Sequence, residues 1–231
     1  MSGWDVVRSI VLSCRWQRNM SNRYLMEAQD GVKYFDRDDR SKHCVNIIAG
    51  VVYNHGKMVS RRKNEELATS SRLWFDQGRF GYVLAYDDKM QKNLYLFVHR
   101  DGMVHHSSVC SGRPVIDAGM MTIVNGRIVY IEHKSGHYKP NFEQLRHTLA
   151  FLQIKGVDLG SVFVSRRIEG AIKNAPIFTT HVMMGLLKLY SARDVFSAQD
   201  FDSIPEVRGI DMDNIDAKTR VAWEAPQITK L

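Results

Sequence analysis

The chain has 231 residues, of which 44% are hydrophobic and 25% charged, and its formal net charge is +7. This balance is typical of a soluble globular protein with a sizeable core, and no apolar run reaches the roughly 20 residues that span a bilayer. The three cysteines are odd in number and far apart, which excludes a disulfide framework and a paired-cysteine metal site and predicts free thiols in a reducing compartment.

The first 30 residues are predicted to form a basic amphipathic helix. Four arginines lie among residues 1–23 against Asp5 alone, and apolar residues can share one stripe over 4–28. With Trp4 and Trp16, this segment has the general character of a calmodulin target. The alternative, which base rates favour, is a helix docked on the main core.

The next segments are predicted to form a polar loop and two short strands. Residues 31–43 are charged and read as a loop, and 44–53 and 57–60 read as strands around a turn at Asn54-His55-Gly56. The charged residues 61–72 fit either a surface helix or a mobile connection.

Residues 80–134 carry a strong β pattern with two hairpin turns. Asp101-Gly102 predicts a hairpin that continues into a strand "MVHHSSV", and Asn125-Gly126 predicts a second hairpin. In the first hairpin, His99 would face Val104 and Phe97 would face His106.

After residue 134 the period of the apolar residues changes. Leucines and Phe142 spaced by three and four predict a helix over 141–155, begun by a capping box of Asn141 and Gln144. A strand is predicted over 161–165 and a helix over 178–192, followed by a shorter helix near 193–200. The predicted fold is therefore α+β: an antiparallel, strongly twisted or barrel-like sheet over 44–134, packed with helices 141–155 and 178–192. The predicted domains are the N-terminal helix 1–30, a core 31–192, and an acidic C-terminal extension 193–231.

Two polar clusters within the β-rich region are candidate site residues. They are His106, Ser107 and Ser108 in the first cluster and Lys134, Ser135, His137, Tyr138 and Lys139 in the second. The second lies where a strand leads into a helix, a position at which loops often carry function and helix N–H groups can bind an anion. The predicted catalytic residues are His106, Ser108, His137 and Tyr138, and the predicted binding residues are Ser107, Lys134, Ser135 and Lys139. The alternative is that these side chains only satisfy backbone groups in a turn.

Histidines are concentrated around these clusters, six of nine falling between His99 and His147. No metal site is predicted, because neither an HExxH motif nor a cysteine pair accompanies them. Two histidines near neutral pH can instead exchange protons as acid and base, which suits a phosphodiester or glycosidic bond.

The clusters also carry a resemblance to a known family. Residues 105–159, which contain both clusters, resemble the central domain of plant IQ-motif-containing calmodulin-binding proteins and related bacterial and fungal toxin- or effector-like domains. The shared pattern is His106-Ser107-Ser108, Gly112, Ala118-Gly119, Ser135–Pro140 and Val157-Asp158-Leu159. The sequence departs from the plant proteins at "IVLSCRWQRNMSNRY", whose arginines lack the spacing of their calmodulin-binding motif.

From the compact length and basic front end, the chain is predicted to be a secreted or translocated effector or toxin, a virulence protein acting on a host protein or RNA in a reducing cytosol. Two metal-independent reactions remain open: ribonuclease-like cleavage and ADP-ribosyltransferase-like transfer with NAD as cofactor. A monomer without a membrane span is expected. The alternative is a non-catalytic module that binds calmodulin or another protein.

Overall fold

The structure is a computed structural model that describes residues 31–60, 79–100, 102–167 and 187–205. The predicted N-terminal helix, the segment 61–72 and most of the predicted helix 178–192 lie outside these residues. Within the described ranges no helix has the length and apolar character needed to cross a bilayer.

The described elements are nine strands and four α-helices, with one 3-10 turn at Leu159–Ser161. The strands are β1 Cys44–Ile48, β2 Val51–Asn54, β3 Lys57–Met58, β4 Phe80–Tyr86, β5 Lys92–Phe97, β6 Asp117–Val124, β7 Arg127–Glu132, β8 Phe163–Arg167 and β9 Leu187–Ser191. The helices are α1 Arg37–His43, α2 His106–Val109, α3 Phe142–Ile154 and α4 Ala192–Ser197.

The strands form one curled, half-barrel sheet in the order β3-β2-β1-β5-β4-β6-β7-β8-β9. This confirms the α+β class and the curled sheet. The prediction of a purely antiparallel sheet is wrong in one place, because β7 and β8 are parallel. A parallel neighbour requires a crossover connection, and α3 lies in the connection between these two strands.

The central strands are buried on both faces, so successive side chains enter different cores. Tyr82 and Leu84 of β4 belong to a large cluster with α3, whereas Val83 and Ala85 belong to a second cluster with Tyr138. This assignment follows from the alternation of side chains along a strand. The α3 face and the face of the second cluster, which we call the α2 face, are therefore separated by the sheet.

The predicted start and end of the helix over 141–155 are confirmed by α3. Asn141 Oδ1 accepts a hydrogen bond from Gln144 N at 3.0 Å, and Gln144 Oε1 accepts one from Asn141 N at 2.9 Å, closing the capping box. Leu145, Leu149 and Leu152 are fully buried against the sheet. The helix ends before Gly156, whose φ of 87° is easily reached only by glycine.

Several predicted elements differ from the structure. Residues 37–43 form a helix rather than a loop, since Asp36 caps it through Asp39 N at 2.7 Å. The predicted strand 44–53 is two strands separated by a turn at Ala49 and Gly50, both at positive φ. Residues 187–191 are the edge strand β9, not the end of a helix.

The two predicted hairpins have different outcomes. The hairpin at Asn125-Gly126 is confirmed, although a bulge between Thr122 and Ile123 shifts the pairing by one residue, so that Met120 faces Glu132. The first hairpin prediction is wrong beyond its turn. Arg100 pairs with Val104 in an isolated bridge, and α2 forms where the strand "MVHHSSV" was predicted.

Candidate functional site

The His-Ser-Ser cluster is a single helical turn rather than a strand. Ser108 Oγ accepts a hydrogen bond from His105 N at 2.9 Å, and Ser108 N donates to His105 O at 3.0 Å. His105 Nε2 in turn accepts from Gly102 N at 3.0 Å. These local bonds give the backbone a better alternative than the strand ladder, which explains why α2 forms here.

His106 points inward from α2 and is buried between rings and backbone. Its Nε2 lies 2.8 Å from Gly119 O in β6 and donates to it, since a carbonyl oxygen can only accept. The ring meets Phe97 edge-on at 5.5 Å and lies 5.6 Å from the His99 ring. Burial lowers the pKa of His106 to about 4, against an ordinary value of 6.5, so this imidazole is neutral near pH 7.

This buried neutral histidine gives the protein a specific acid sensitivity. His106 takes up a proton below pH 6.5 in the unfolded chain but only near pH 4 in the folded chain. The contribution of His106 to the free energy of unfolding is therefore complete above pH 6.5 and is lost as the pH falls toward 4. The wild type should lose about 1.5 kcal/mol of unfolding free energy through this group between roughly pH 6.5 and 5. Urea denaturation of wild type and His106→Gln at both pH values measures it as a smaller gap between the two proteins at the lower pH.

The matched control is His55→Gln, which changes an exposed turn histidine. Its stability should run parallel to the wild type at both pH values. A gap between wild type and His106→Gln that stays constant with pH would contradict the assignment of the acid sensitivity to His106.

The Ser-Gly-His-Tyr cluster is a tight turn between β7 and α3. Ser135 Oγ accepts from Tyr138 N at 3.2 Å, and Ser135 O accepts from Lys139 N at 2.9 Å. The turn buries Ser135, His137 and Tyr138 and leaves the side chains of Lys134 and Lys139 exposed. Lys139 itself sits at a φ of 43°, just before Pro140.

The two clusters meet on the α2 face of the sheet. The Tyr138 ring belongs to the same core cluster as Val109 of α2 and Ala118 of β6. The Tyr138 hydroxyl donates to Arg113 O at 2.9 Å, in the loop that follows α2. His137 packs edge-on against Tyr138, with ring centroids 4.9 Å apart. Tyr138 therefore links the second motif to α2 and the loop after it. The motif side chains that are buried are His106, Ser107, Ser108, Ser135, His137 and Tyr138.

On the opposite face, a buried carboxylate that is absent from the predicted site residues organises a polar network. Asp117 Oδ2 accepts from Tyr82 Oη at 2.8 Å and from Thr148 Oγ1 of α3 at 2.6 Å. Its Oδ1 accepts from Ala118 N at 2.8 Å and lies 3.2 Å from His133 Nε2. This charge raises the pKa of the Tyr82 hydroxyl further, beyond the larger effect of burial. The signal available in the sequence was an aspartate within the otherwise apolar run "VIDAGMMTIV".

A second buried acid lies next to this network. Glu132 at the end of β7 is 2% exposed and forms an ion pair with Arg79, whose side chain is largely covered. Removing one partner of such a pair leaves the other charge buried without compensation, which is strongly destabilising.

Neither metal nor thiol chemistry is apparent in the described part of the chain. No group of three or more histidine, cysteine or acidic side chains there could hold a metal ion. Cys44 and Cys110 are free, as predicted, and burial raises the pKa of Cys110 to about 11, which keeps it a protonated, unreactive thiol.

Part of the chain is similar to a known family. Residues 49–145 match the IQ motif-containing protein middle domain. The matched region runs from the turn after β1 to the first residues of α3, so both polar motifs and Asp117 lie inside it. The predicted resemblance to the central domain of plant IQ-motif proteins is supported, and its extension to bacterial and fungal toxin-like proteins gains no support from these matches.

The similar curated proteins are plant proteins from Arabidopsis thaliana. IQ domain-containing protein IQM3 is 36% identical over 78 residues, covering 34% of this chain and 17% of the relative. IQM2 is 30% identical over 132 residues, covering 57% and 21%, and IQM1 is 34% identical over 127 residues, covering 52% and 26%. The chain thus spans about a quarter or less of the length of these relatives. No solved structure matches it significantly.

These relatives overturn the main functional prediction. The family match is to the IQ motif-containing protein middle domain, and the similar proteins are plant IQ domain-containing proteins. The prediction of a secreted effector or toxin enzyme, ribonuclease-like or ADP-ribosyltransferase-like, is therefore wrong. The predicted secretion or translocation into a target cell is wrong for the same reason. The matches favour the non-catalytic alternative.

Proposed function

We propose that the chain is a non-catalytic protein-binding module and that calmodulin is its partner. The observation that carries the first part is the burial of the motif side chains. His106, Ser108, Ser135 and Tyr138 are each at most 6% exposed and each has a hydrogen bond to backbone. A general acid or base must reach the proton that it transfers in a bound substrate, and these groups face the protein's own backbone.

The motif residues therefore support a bracing role in this proposal. Gly119 O, Arg113 O and Tyr138 N are backbone groups of β6, the loop after α2 and the turn before α3. Buried backbone groups require partners, and polar side chains at these places supply them without a regular ladder. The braces hold α2, the loop after it and the turn before α3 against the sheet and leave recognition to other parts of the chain.

The choice of calmodulin rests on the relatives and on the sequence. The similar proteins are named as IQ domain-containing. The front of this chain has four arginines within residues 1–23, with Trp4 and Trp16 among them. A basic amphipathic segment with aromatic anchors is the kind of peptide that fits the Met-rich groove of calmodulin.

A pull-down with calmodulin tests this proposal directly. The full chain and a full-length variant with Trp4→Ala and Trp16→Ala are passed over immobilised calmodulin, in calcium and separately in chelator. We expect retention of the wild type and at least a tenfold loss of affinity for the variant, because buried aromatic anchors dominate such interfaces.

The matched control changes an aromatic pair outside the front segment, Tyr53→Ala together with Phe196→Ala, and should bind as the wild type does once its folding is verified by circular dichroism. If the wild type is not retained in either condition, calmodulin is not the partner. If wild type and the Trp4/Trp16 variant are retained equally, the front segment is not the binding element.

A further inference from the structure

A cleft between α1 and the tip of the β4–β5 hairpin has no role in the proposed calmodulin interaction. It is open to solvent and has a volume of about 310 Å³. This volume is at the lower end of the range found for small-molecule sites, which is roughly 300–1,000 Å³. The lining consists of Arg37, Arg40, Ser41, Cys44, Asp87, Asp88, Lys89, Gln91, Asn93 and Tyr95.

One wall of the cleft presents two arginines. Arg37 and Arg40 are three residues apart on α1, so their side chains leave the same helix face. Within the described ranges, neither guanidinium forms an ion pair. Asp39 of the same helix binds two lysines instead, Lys33 at 2.7 Å and Lys42 at 3.0 Å. These two salt bridges hold the pKa of Asp39 at about 2. Two planar guanidinium forks are thus left facing the cleft.

The opposite wall carries two carboxylates, one of which is already engaged. Asp87 Oδ1 accepts from Lys89 N and Gln91 N, both at 2.8 Å, and its Oδ2 accepts from Asn93 Nδ2 at 3.0 Å. Its hydrogen-bonding capacity is thus directed to its own turn. Asp88 is exposed at the rim beside Lys89, and can accept a bond from a ligand.

The base of the cleft is largely apolar. It includes the half-buried Cys44 and a small exposed part of Tyr95, which is 4% exposed. An aromatic ring can pack against this apolar base and meet Tyr95 edge-on. The cleft therefore has an anion-binding wall, an apolar base and an acceptor on the opposite wall.

We infer that this cleft binds a small phosphomonoester that carries an aromatic group with an amino substituent. The phosphate binds the guanidinium groups of Arg37 and Arg40, the aromatic group packs on the apolar base beside Cys44 and the exposed edge of Tyr95, and the amino substituent donates to Asp88. Arginine forks match the oxygens of a phosphate in two-point hydrogen bonds. The lining has three cationic and two acidic side chains, so its net charge of +1 suits one phosphate and disfavours a polyanion such as RNA.

Adenosine 5′-monophosphate is the probe for this site. Adenosine and inorganic phosphate, the two parts of the nucleotide, are titrated separately for comparison. Calorimetric titration of the full chain should show binding of the nucleotide and at least tenfold weaker binding of either part. The variant Arg37→Gln/Arg40→Gln should bind the nucleotide at least tenfold more weakly, because it loses charge-assisted hydrogen bonds. Both arginines are on the surface of a helix without buried residues, so the variant should fold normally.

The control variant Lys57→Gln/Arg127→Gln removes the same two charges from exposed positions outside the cleft and should bind as the wild type does. Absence of nucleotide binding by the wild type, or equal binding by the two double variants, overturns the site. Inorganic phosphate binding as tightly as the nucleotide overturns the aromatic part of the assignment. Calmodulin retention is measured on the same variants and should not change, which separates this site from the proposed function.

Discussion

Asp117→Ala should lower the free energy of unfolding by about 3–5 kcal/mol, a loss well above that of a typical single substitution. The carboxylate is fully buried and accepts from Tyr82, Thr148 and the Ala118 amide, and it lies beside His133. Alanine leaves these donors buried without an acceptor, and each unsatisfied group adds its own desolvation cost. Urea denaturation at neutral pH measures the change.

Two companion variants separate the network from a simple loss of volume. Tyr82→Phe and Thr148→Val each remove one hydroxyl while nearly preserving shape, and each should cost about 1 kcal/mol. Asp88→Ala, an exposed aspartate, should change stability by about 0.5 kcal/mol or less. If Asp117→Ala is no more harmful than Asp88→Ala, the buried network does not stabilise the fold.

The second large effect is expected in the packing of α3 on the sheet. Leu149→Ala should cost about 2–5 kcal/mol, because the side chain is fully buried between the helix and the strands and its removal leaves a cavity. Thermal or urea unfolding, followed by circular dichroism, measures the loss.

The same helix supplies its own control. Ile154, the last residue of α3, is 83% exposed, so Ile154→Ala removes a similar aliphatic side chain with little change in buried area. Its cost should be about 0.5 kcal/mol or less. Equal losses for the two variants would mean that helix propensity rather than burial on the sheet determines the stability of this segment.

Elements whose signals are local could be predicted from the sequence. Asn125-Gly126 favours a hairpin because both residues tolerate positive φ, and the structure gives them φ values of 48° and 76°. The capping box of α3 satisfies exposed amides within one turn, independently of the rest of the fold.

Elements that depend on distant partners were missed. Helix α1 has no buried residue and therefore no apolar period. It is held by its cap and by His43, which stacks on Phe35 at 4.6 Å and bonds Leu96 O through Nδ1 at 2.9 Å. Strand β9 lies in an apolar run that reads equally well as helix, and its pairing with β8 decides the outcome.

The candidate site also has features that local sequence predicts and features that depend on distant partners. The sequence indicated the two polar motifs, and His106 and Tyr138 do lie on one face of the sheet. The catalytic roles assigned to the motif residues stay predictions. The structure adds their hydrogen bonds to distant backbone, which cannot be read from spacing. His106 bonds a carbonyl 13 residues away and Tyr138 one 25 residues away. Asp117 bonds side chains 35 and 31 residues away, so its role is visible only in three dimensions.

The turn between β1 and β2 touches the end of α3 through backbone alone. Gly50 N donates to Lys155 O at 2.9 Å, and an added Cβ at Gly50 would lie 3.0 Å from the Gly156 carbonyl carbon; both glycines have positive φ. With no side chain between them to adjust, neither position can gain a methyl group unless the other segment retreats. Across descendants of a common ancestor, the pair should consequently be kept or replaced together, a correlated substitution pattern detectable by counting paired changes.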